Sequence, residues 1–251
     1  MMIICADDMG LTPQINHTIL KLVKKCKINA VSCMVSGIKQ EDIRQLKQAG
    51  QDLKIGMHFY LFDAPLLTSK SPLGESYLQV ALKLIISPIQ FRKKVNQEFQ
   101  AQISQFKKLF GHYPDFYDGH CHIHQIPFLC TNLLHAIPTT KKSIFIRNTR
   151  NSLSNILLTT PYIGIKGCIK AIILSYAGSL YYQVLKKHKI PTNNYMQGLY
   201  SYNIKNDVKA IMNQYLNLAQ ANDLIAYHPG PLNELKGPNR KEEYHFLKER
   251  K

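Results

Sequence analysis

Two acidic residues stand side by side at the end of a short apolar run, Met1-Met2-Ile3-Ile4-Cys5-Ala6-Asp7-Asp8. Buried together they repel and lose hydration, a cost that a cation or a proton offsets. Taken alone, the pair is also satisfied if Asp7 caps the next helix and Asp8 stays in water. Histidines near the ends of other apolar runs tip the balance toward chemistry. They are His58 in Ile55-Gly56-Met57-His58, the alternating Asp118-Gly119-His120-Cys121-His122-Ile123-His124, and His228 in Tyr227-His228-Pro229-Gly230. Asp118, His120, His122 and His124 share parity and point to one side of an extended chain, unless Gly119 breaks the geometry. One carboxylate and two imidazoles from three strands form a facial metal set with positions open for water and substrate. That shell suits zinc, and also cobalt, manganese, iron or nickel, whereas magnesium prefers harder ligands. An ion so held lowers the pKa of a bound water and polarises a carbonyl. One acid then holds the ion and the other takes the proton of the attacking water, with His228 a candidate to protonate a leaving amine. Arg147 lies among apolar residues. If buried it needs a carboxylate, and the acidic pair is the obvious one; on an edge strand it is a plain surface arginine.

The elements around these residues alternate. Met1–Ala6 reads as a buried strand, Gly10 breaks it, and Thr12-Pro13 caps a helix whose apolar face is Ile15, Ile19, Leu22 and Val23. Residues 29–37 and 53–61 read as strands, with a short helix at 41–49 between them. Residues 62–77 form a loop, and Ser87-Pro88 starts a long amphipathic helix that Gly111 ends. A strand follows at 114–124 and another, holding Arg147, at 143–150. Residues 151–195 look less regular. A helix at 207–219, a strand ending at His228 and a charged tail from Lys236, read as a solvated last helix or a frayed end, complete the chain. This alternation predicts an α/β fold with mainly parallel strands, closed or nearly closed into a barrel, as a single domain over 1–251.

Lysine and arginine outnumber aspartate and glutamate 32 to 16, for a net charge of +16. Such a surface attracts anions. The lysines are scattered and no zinc-finger or RNA-binding signature accompanies them, so no nucleic acid partner is expected. The six cysteines, Cys5, Cys26, Cys33, Cys121, Cys130 and Cys168, form no Cys-x-x-Cys pair and mostly lie in apolar patterns. They suit a cytoplasmic protein, and Asp7 and Asp8 fall where a signal peptide would be apolar. Ala171–Leu185 is free of charge but too short to span a bilayer, with Lys166 and Lys170 before it. A core helix capping the barrel is the preferred expectation for it. Peripheral contact with the inner face of an anionic membrane is the alternative.

The four motifs Ala6-Asp7-Asp8-Met9-Gly10, Ile55-Gly56-Met57-His58, Asp118-Gly119-His120-Cys121-His122-Ile123-His124 and Tyr227-His228-Pro229-Gly230 resemble, in order and separation, those of the YdjC-like carbohydrate deacetylases. The resemblance implies a deformed TIM-like (β/α) barrel that hydrolyses the N-acetyl group of an N-acetylated amino sugar. It implies one divalent ion, zinc or magnesium foremost and cobalt or manganese as substitutes, on Asp8, His58 and His120. Asp7 would be the general base, His228 the general acid, and Arg147 the arginine that orients the base. His122, His124 and Asp118 would stand behind these groups or face the substrate. Cys5 replaces the family's usual asparagine, and Met9 its phenylalanine. Residues 190–198 are closer to the hopanoid-biosynthesis-associated branch, whose sugar is carried by a lipid, than to the chitooligosaccharide branch. The competing expectations are a metal-dependent phosphoesterase and a non-catalytic carbohydrate or membrane-surface binding protein. A homodimer is plausible on general grounds alone.

Overall fold

The computed structural model describes residues 1–50, 52–86, 88–126, 129, 133–134, 145–200, 207–232 and 239–250. In it the apolar run before the acidic pair is β1 (Ile3–Met9), an inner strand of a seven-stranded sheet. The others are β2 (Ala30–Cys33), β3 (Lys54–Phe59), β4 (Phe116–Gly119), β5 (Phe145–Ile146), β6 (Met196–Gln197) and β7 (Leu224–Tyr227). The order is β5-β4-β3-β2-β1-β7-β6 and every pairing is parallel. Helices α1 (Pro13–Lys24), α2 (Gln40–Gln48), α3 (Tyr77–Ile86), α4 (Pro88–Phe110), α5 (Leu153–Lys187) and α6 (Val208–Leu218) lie in the crossovers, and α7 (Arg240–Glu249) follows β7. The sheet curls into an α/β fold of the deformed TIM-like kind. Its two edges approach through irregular backbone. Ile146 N donates to Pro191 O at 3.0 Å and Met196 N to Arg150 O at 2.9 Å. Asn148 N donates to Asn193 Oδ1, and Asn193 Nδ2 to Asn148 O, both at 2.9 Å.

Strand parity separates two cores. Ile4, Val31, Ile55, Tyr117 and Ile225 pack outward under the helices. Cys5, Ala30, Phe116, Phe145, Leu224 and Ala226 fill the barrel. The rings of Phe116 and Phe145 stack there at 5.0 Å. Gly56 faces them without a side chain, because a Cβ would lie 2.3 Å from the Phe116 ring. The same inward parity, followed to the carboxyl ends of the strands, arrives at Asp7, Ser32, His58, Asp118, Arg147 and His228. The apolar plug is therefore a floor, with polar groups above it.

Several expectations change. Residues 153–187, expected to be irregular, form one helix of 35 residues, broken only at Gly164, whose φ is +70°. The apolar stretch that looked too short to cross a membrane is part of this helix, which is long and apolar enough to do so. Over the apolar stretch the expected helix is present and packs on the barrel's end through Ala171, Ser175, Gly178, Tyr181 and Leu185, but it also leaves much apolar surface outside, with 28% of its most apolar window buried. The loop read at 62–77 gives way to α3, which the sequence reading did not foresee. The strand expected to reach His124 ends at Gly119, and a 3-10 turn with left-handed Cys121 (φ +49°) and His122 (φ +59°) takes over. Parity therefore does not carry His122 and His124 to the side of Asp118. The tail is not simply solvated either, because α7 buries Arg240, Glu243, Phe246 and Leu247. Ser87, Cys130, Ser143, Ile144 and 236–238 lie outside the described residues.

Candidate active site

β1 delivers both acids. In a regular strand Asp7 and Asp8 would face opposite ways, but Asp8 takes a left-handed φ of +67° and the pairing of β1 with β2 shifts between Ala6 and Met9. That conformation costs an aspartate on the order of 1 kcal/mol, and it lets both carboxylates line one cavity of about 820 Å³. His58, His120, His122 and His228 line the same cavity. The local entry into α1 is as the sequence suggests, with Thr12 Oγ1 accepting from Ile15 N at 3.2 Å and Pro13 at the first helical position.

Asp8 Oδ1 lies 3.3 Å from His58 Nε2 and 3.0 Å from His120 Nδ1. The second nitrogen of each ring is also taken up by a carboxylate. His58 Nδ1 is 2.7 Å from Asp118 Oδ1, and His120 Nε2 is 2.8 Å from Asp63 Oδ2. A neutral imidazole carries one proton, so each ring would aim a lone pair at an anion. Without an ion the carboxylates resolve this by keeping the rings charged. Burial works against the charge on His58, but Asp118 and Asp8 outweigh it and push the group up to about 9. His120 is likewise held well above its usual range, burial being overcome by Asp8 and Asp63. A divalent cation at Asp8, His58 and His120, whose donor atoms lie within 4.8 Å of one another, removes the same conflict by replacing those protons. The residues therefore fit an ion. Arg240 Nη2 donates to Asp8 Oδ2 at 2.7 Å; burial favours protonation of Asp8, and Arg240 and His120 overcome it to keep the acid ionised.

Asp7 is held differently. Arg147, fully buried, donates from Nη1 to Asp7 Oδ2 at 2.5 Å and from Nη2 to Asp7 Oδ1 at 2.7 Å. Its Nη2 also lies 2.7 Å from Asp118 Oδ2, an ion pair off the hydrogen-bond line, and 3.0 Å from Cys5 Sγ. Burial raises the Asp7 carboxyl, and the guanidinium more than offsets this, so Asp7 stays ionised far below the usual carboxylate range. Of the acidic pair, Arg147 thus partners Asp7 and Arg240 partners Asp8. Asp7, His58 and Asp118 also converge closely enough for an ion, but Arg147 already neutralises both of these acids. Among the described residues, Asp8, His58 and His120 are thus the candidate ion ligands that Arg147 does not neutralise.

The other histidines divide. His124 is buried behind Arg147 and its Nε2 donates to the Arg147 carbonyl at 2.9 Å, which supports the arginine's backbone. His122 lines the cavity, and burial with the nearby charges of His124 and Arg147 holds it well below its usual range. His228 directly follows β7 and lines the cavity as well. Burial pushes it down to about 4 despite Asp8 and Asp7, so it is a neutral imidazole at pH 7. Its backbone N–H donates to Glu243 Oε2, and Glu243 Oε1 accepts from Tyr200 Oη at 2.5 Å. Burial raises Glu243 to about 7.

Four participants escaped the sequence reading. Ser32, whose Oγ donates to Asp118 Oδ1 at 2.5 Å, was betrayed only by being the polar member of an otherwise apolar strand. Asp63 sits in a loop and carries no signal. Arg240 and Glu243 recur with Phe246 and Leu247 at helical spacing, a mixed face that a charge count hides.

The sequence model of the YdjC-like protein family matches residues 1–251. A chitooligosaccharide deacetylase from Escherichia fergusonii is 29% identical over 133 residues, which span 51% of this chain and 51% of that protein. The chain is thus aligned with about half the length of that curated relative. The crystal structure of an Enterococcus faecalis V583 protein, described as a cellobiose-phosphate cleavage protein, superposes with a TM-score of 0.64 at 19% identity, covering 98% of this chain and 89% of that one. That likeness shows a shared fold.

Proposed function

This chain belongs to the YdjC-like family, and on that premise we propose that it is a metal-dependent hydrolase that removes the N-acetyl group of an N-acetylated amino sugar. The observation that carries the proposal is the Asp8 carboxylate set 3.3 and 3.0 Å from two imidazoles whose other nitrogens already meet carboxylates. A divalent ion on Asp8, His58 and His120 would supply a water of lowered pKa and polarise the acetyl carbonyl. Two imidazoles favour zinc, cobalt or manganese over magnesium. The name of the E. fergusonii relative supports the sugar class.

The chain's own groups handle the protons. Asp7, ionised and fixed by two hydrogen bonds from Arg147, takes the proton of the attacking water on a lone pair that Arg147 leaves open. Asp118 and Ser32 hold His58 from behind and set which of its nitrogens faces Asp8. His228 hands a proton to the departing amine. Because burial keeps it neutral, the proton it delivers is replaced by the one that Asp7 took from the attacking water, so the two transfers balance within the site. A phosphoesterase commonly clamps its substrate between two ions, and Arg147 occupies the place of the second.

Asp7→Asn tests the assignment. Metal analysis should find the ion retained while acetate release from N-acetylglucosamine oligomers falls about 10³-fold. An Asn variant that retains wild-type turnover would remove Asp7 as base.

A further inference from the structure

Helix α5 is apolar on both sides. The side packed on the barrel carries the small residues Gly167, Ala171, Ser175 and Gly178 between larger ones such as Ile163, Tyr181 and Leu185, whereas Ile165, Ile169, Ile172, Tyr176 and Leu180 face away from it. The exposure is large: 77% at Ile165 and 68% at Tyr176. A helix of an ordinary soluble surface puts its branched aliphatics inward and its polar groups outward. The small residues have a definite use here, since they bring the helix backbone onto the barrel's end. A Cβ at Gly178 would lie 2.3 Å from Arg150 N, Thr149 Oγ1 donates to Leu174 O at 2.6 Å, and Ser175 Oγ donates to Asn151 O at 2.8 Å. So fastened, the helix cannot cross a bilayer, but its outer face can lie on one.

A second apolar ridge accompanies it. On α3, Leu78, Leu82 and Ile86 recur at four-residue spacing and are exposed, Ile86 at 75%. Both helices reach the candidate active site, where Tyr77 of α3 and Lys166, Ile169, Lys170 and Ile173 of α5 line the same cavity as Asp7 and Asp8. Charge selects the occupant. The 35 residues of α5 include Lys166, Lys170, Lys186 and Lys187 and no acid, α3 adds Lys83 with no acid, and the whole chain carries +16. A second copy of so basic a chain would meet this face with like charge, whereas anionic headgroups complement it.

We propose that the α5 and α3 ridges form a docking surface for an anionic lipid bilayer, which places the mouth of the cavity against the headgroup layer. The apolar side chains enter the boundary between headgroups and acyl chains, and the lysines meet lipid phosphates. The surface rests on the exposure and charge of these helices and not on the reaction, so either can fail without the other.

Co-sedimentation of the full chain with vesicles tests it. Binding is expected to phosphatidylcholine vesicles containing phosphatidylglycerol, to be about tenfold or more weaker on phosphatidylcholine alone, and to weaken with added salt. Replacing Ile165, Ile172, Tyr176 and Leu180 together by serine should lower binding about tenfold or more with unchanged hydrolysis of a soluble substrate. Lys186→Glu with Lys187→Glu, at the end of the helix, should reduce only the preference for anionic lipid. No binding to either vesicle, equal binding to both, an unaffected serine variant, or a stable dimer that the serine variant dissociates would each overturn the proposal.

Discussion

At the barrel mouth, Asp7, Asp8, Asp118 and Arg147 are almost fully buried, while along α5 a row of isoleucine, leucine and tyrosine stands in solvent. Both regions depart from the usual sorting of side chains, and the departures have opposite remedies. The charges are sustained from within, each acid by a guanidinium or an imidazole of the chain itself. The apolar row has no such internal partner among the described residues and requires something outside. A buried charge is thus explained by its neighbours, an exposed apolar row by what it meets.

The comparison breaks most visibly at the site. Asp8→Ala removes the acid that His58, His120 and Arg240 share. Metal analysis should find the ion gone and acetate release lowered at least about 10³-fold; normal metal content would mean that the ion lies elsewhere. Next is Arg147→Met, which leaves Asp7 and Asp118 buried without their cation. Urea unfolding should show a loss of about 3–5 kcal/mol, and a loss below about 1 kcal/mol would mean that the pair is solvated. On the other side of the comparison, Gly178→Leu should cost about 1–3 kcal/mol by forcing α5 off the barrel. Ile172→Ser on the outer face should stay within about 0.5 kcal/mol. A core-like loss at Ile172 would erase the distinction between the two regions.

The smallest effect is the most diagnostic of how the mouth carries its charge. His58, pushed up to about 9, and His120, also raised, are protonated in the ion-free protein at pH 7. An ion must displace those protons, so its apparent affinity falls as pH drops below about 9 and rises as pH climbs toward it. Calorimetry of zinc binding in buffers of different protonation enthalpy should report proton release at pH 7. Binding without proton release would show that the rings are already neutral.

Much of this was readable in residue types. Met1–Asp8 announces a buried strand ending in acids, and His58 closes another apolar run. Arg147 among apolar residues called for an acid and found two. What stayed hidden depends on backbone turns and on contacts distant in sequence. The left-handed Asp8 brings neighbouring acids to one side, and left-handed Cys121 and His122 take His122 and His124 out of the row that alternation assigns them. Asp63 and Arg240 reach His120 and Asp8 from a loop and from the last helix. Of helix α5 only the apolar part at 171–185 was expected as a helix, and its reach back to Leu153 was not, because many of its large residues point outward and blur the stripe of a core helix.

The central claim is that one ion on Asp8, His58 and His120 serves the hydrolysis of an N-acetyl group. Acetate release from N-acetylglucosamine oligomers, measured before chelation, after it, and after return of zinc, cobalt, manganese or magnesium, tests that claim most directly. The account predicts release that vanishes with the ion and returns with zinc, cobalt or manganese more fully than with magnesium. Release undiminished in the demonstrably ion-free protein, or none from any N-acetylated sugar with the ion bound, would contradict it.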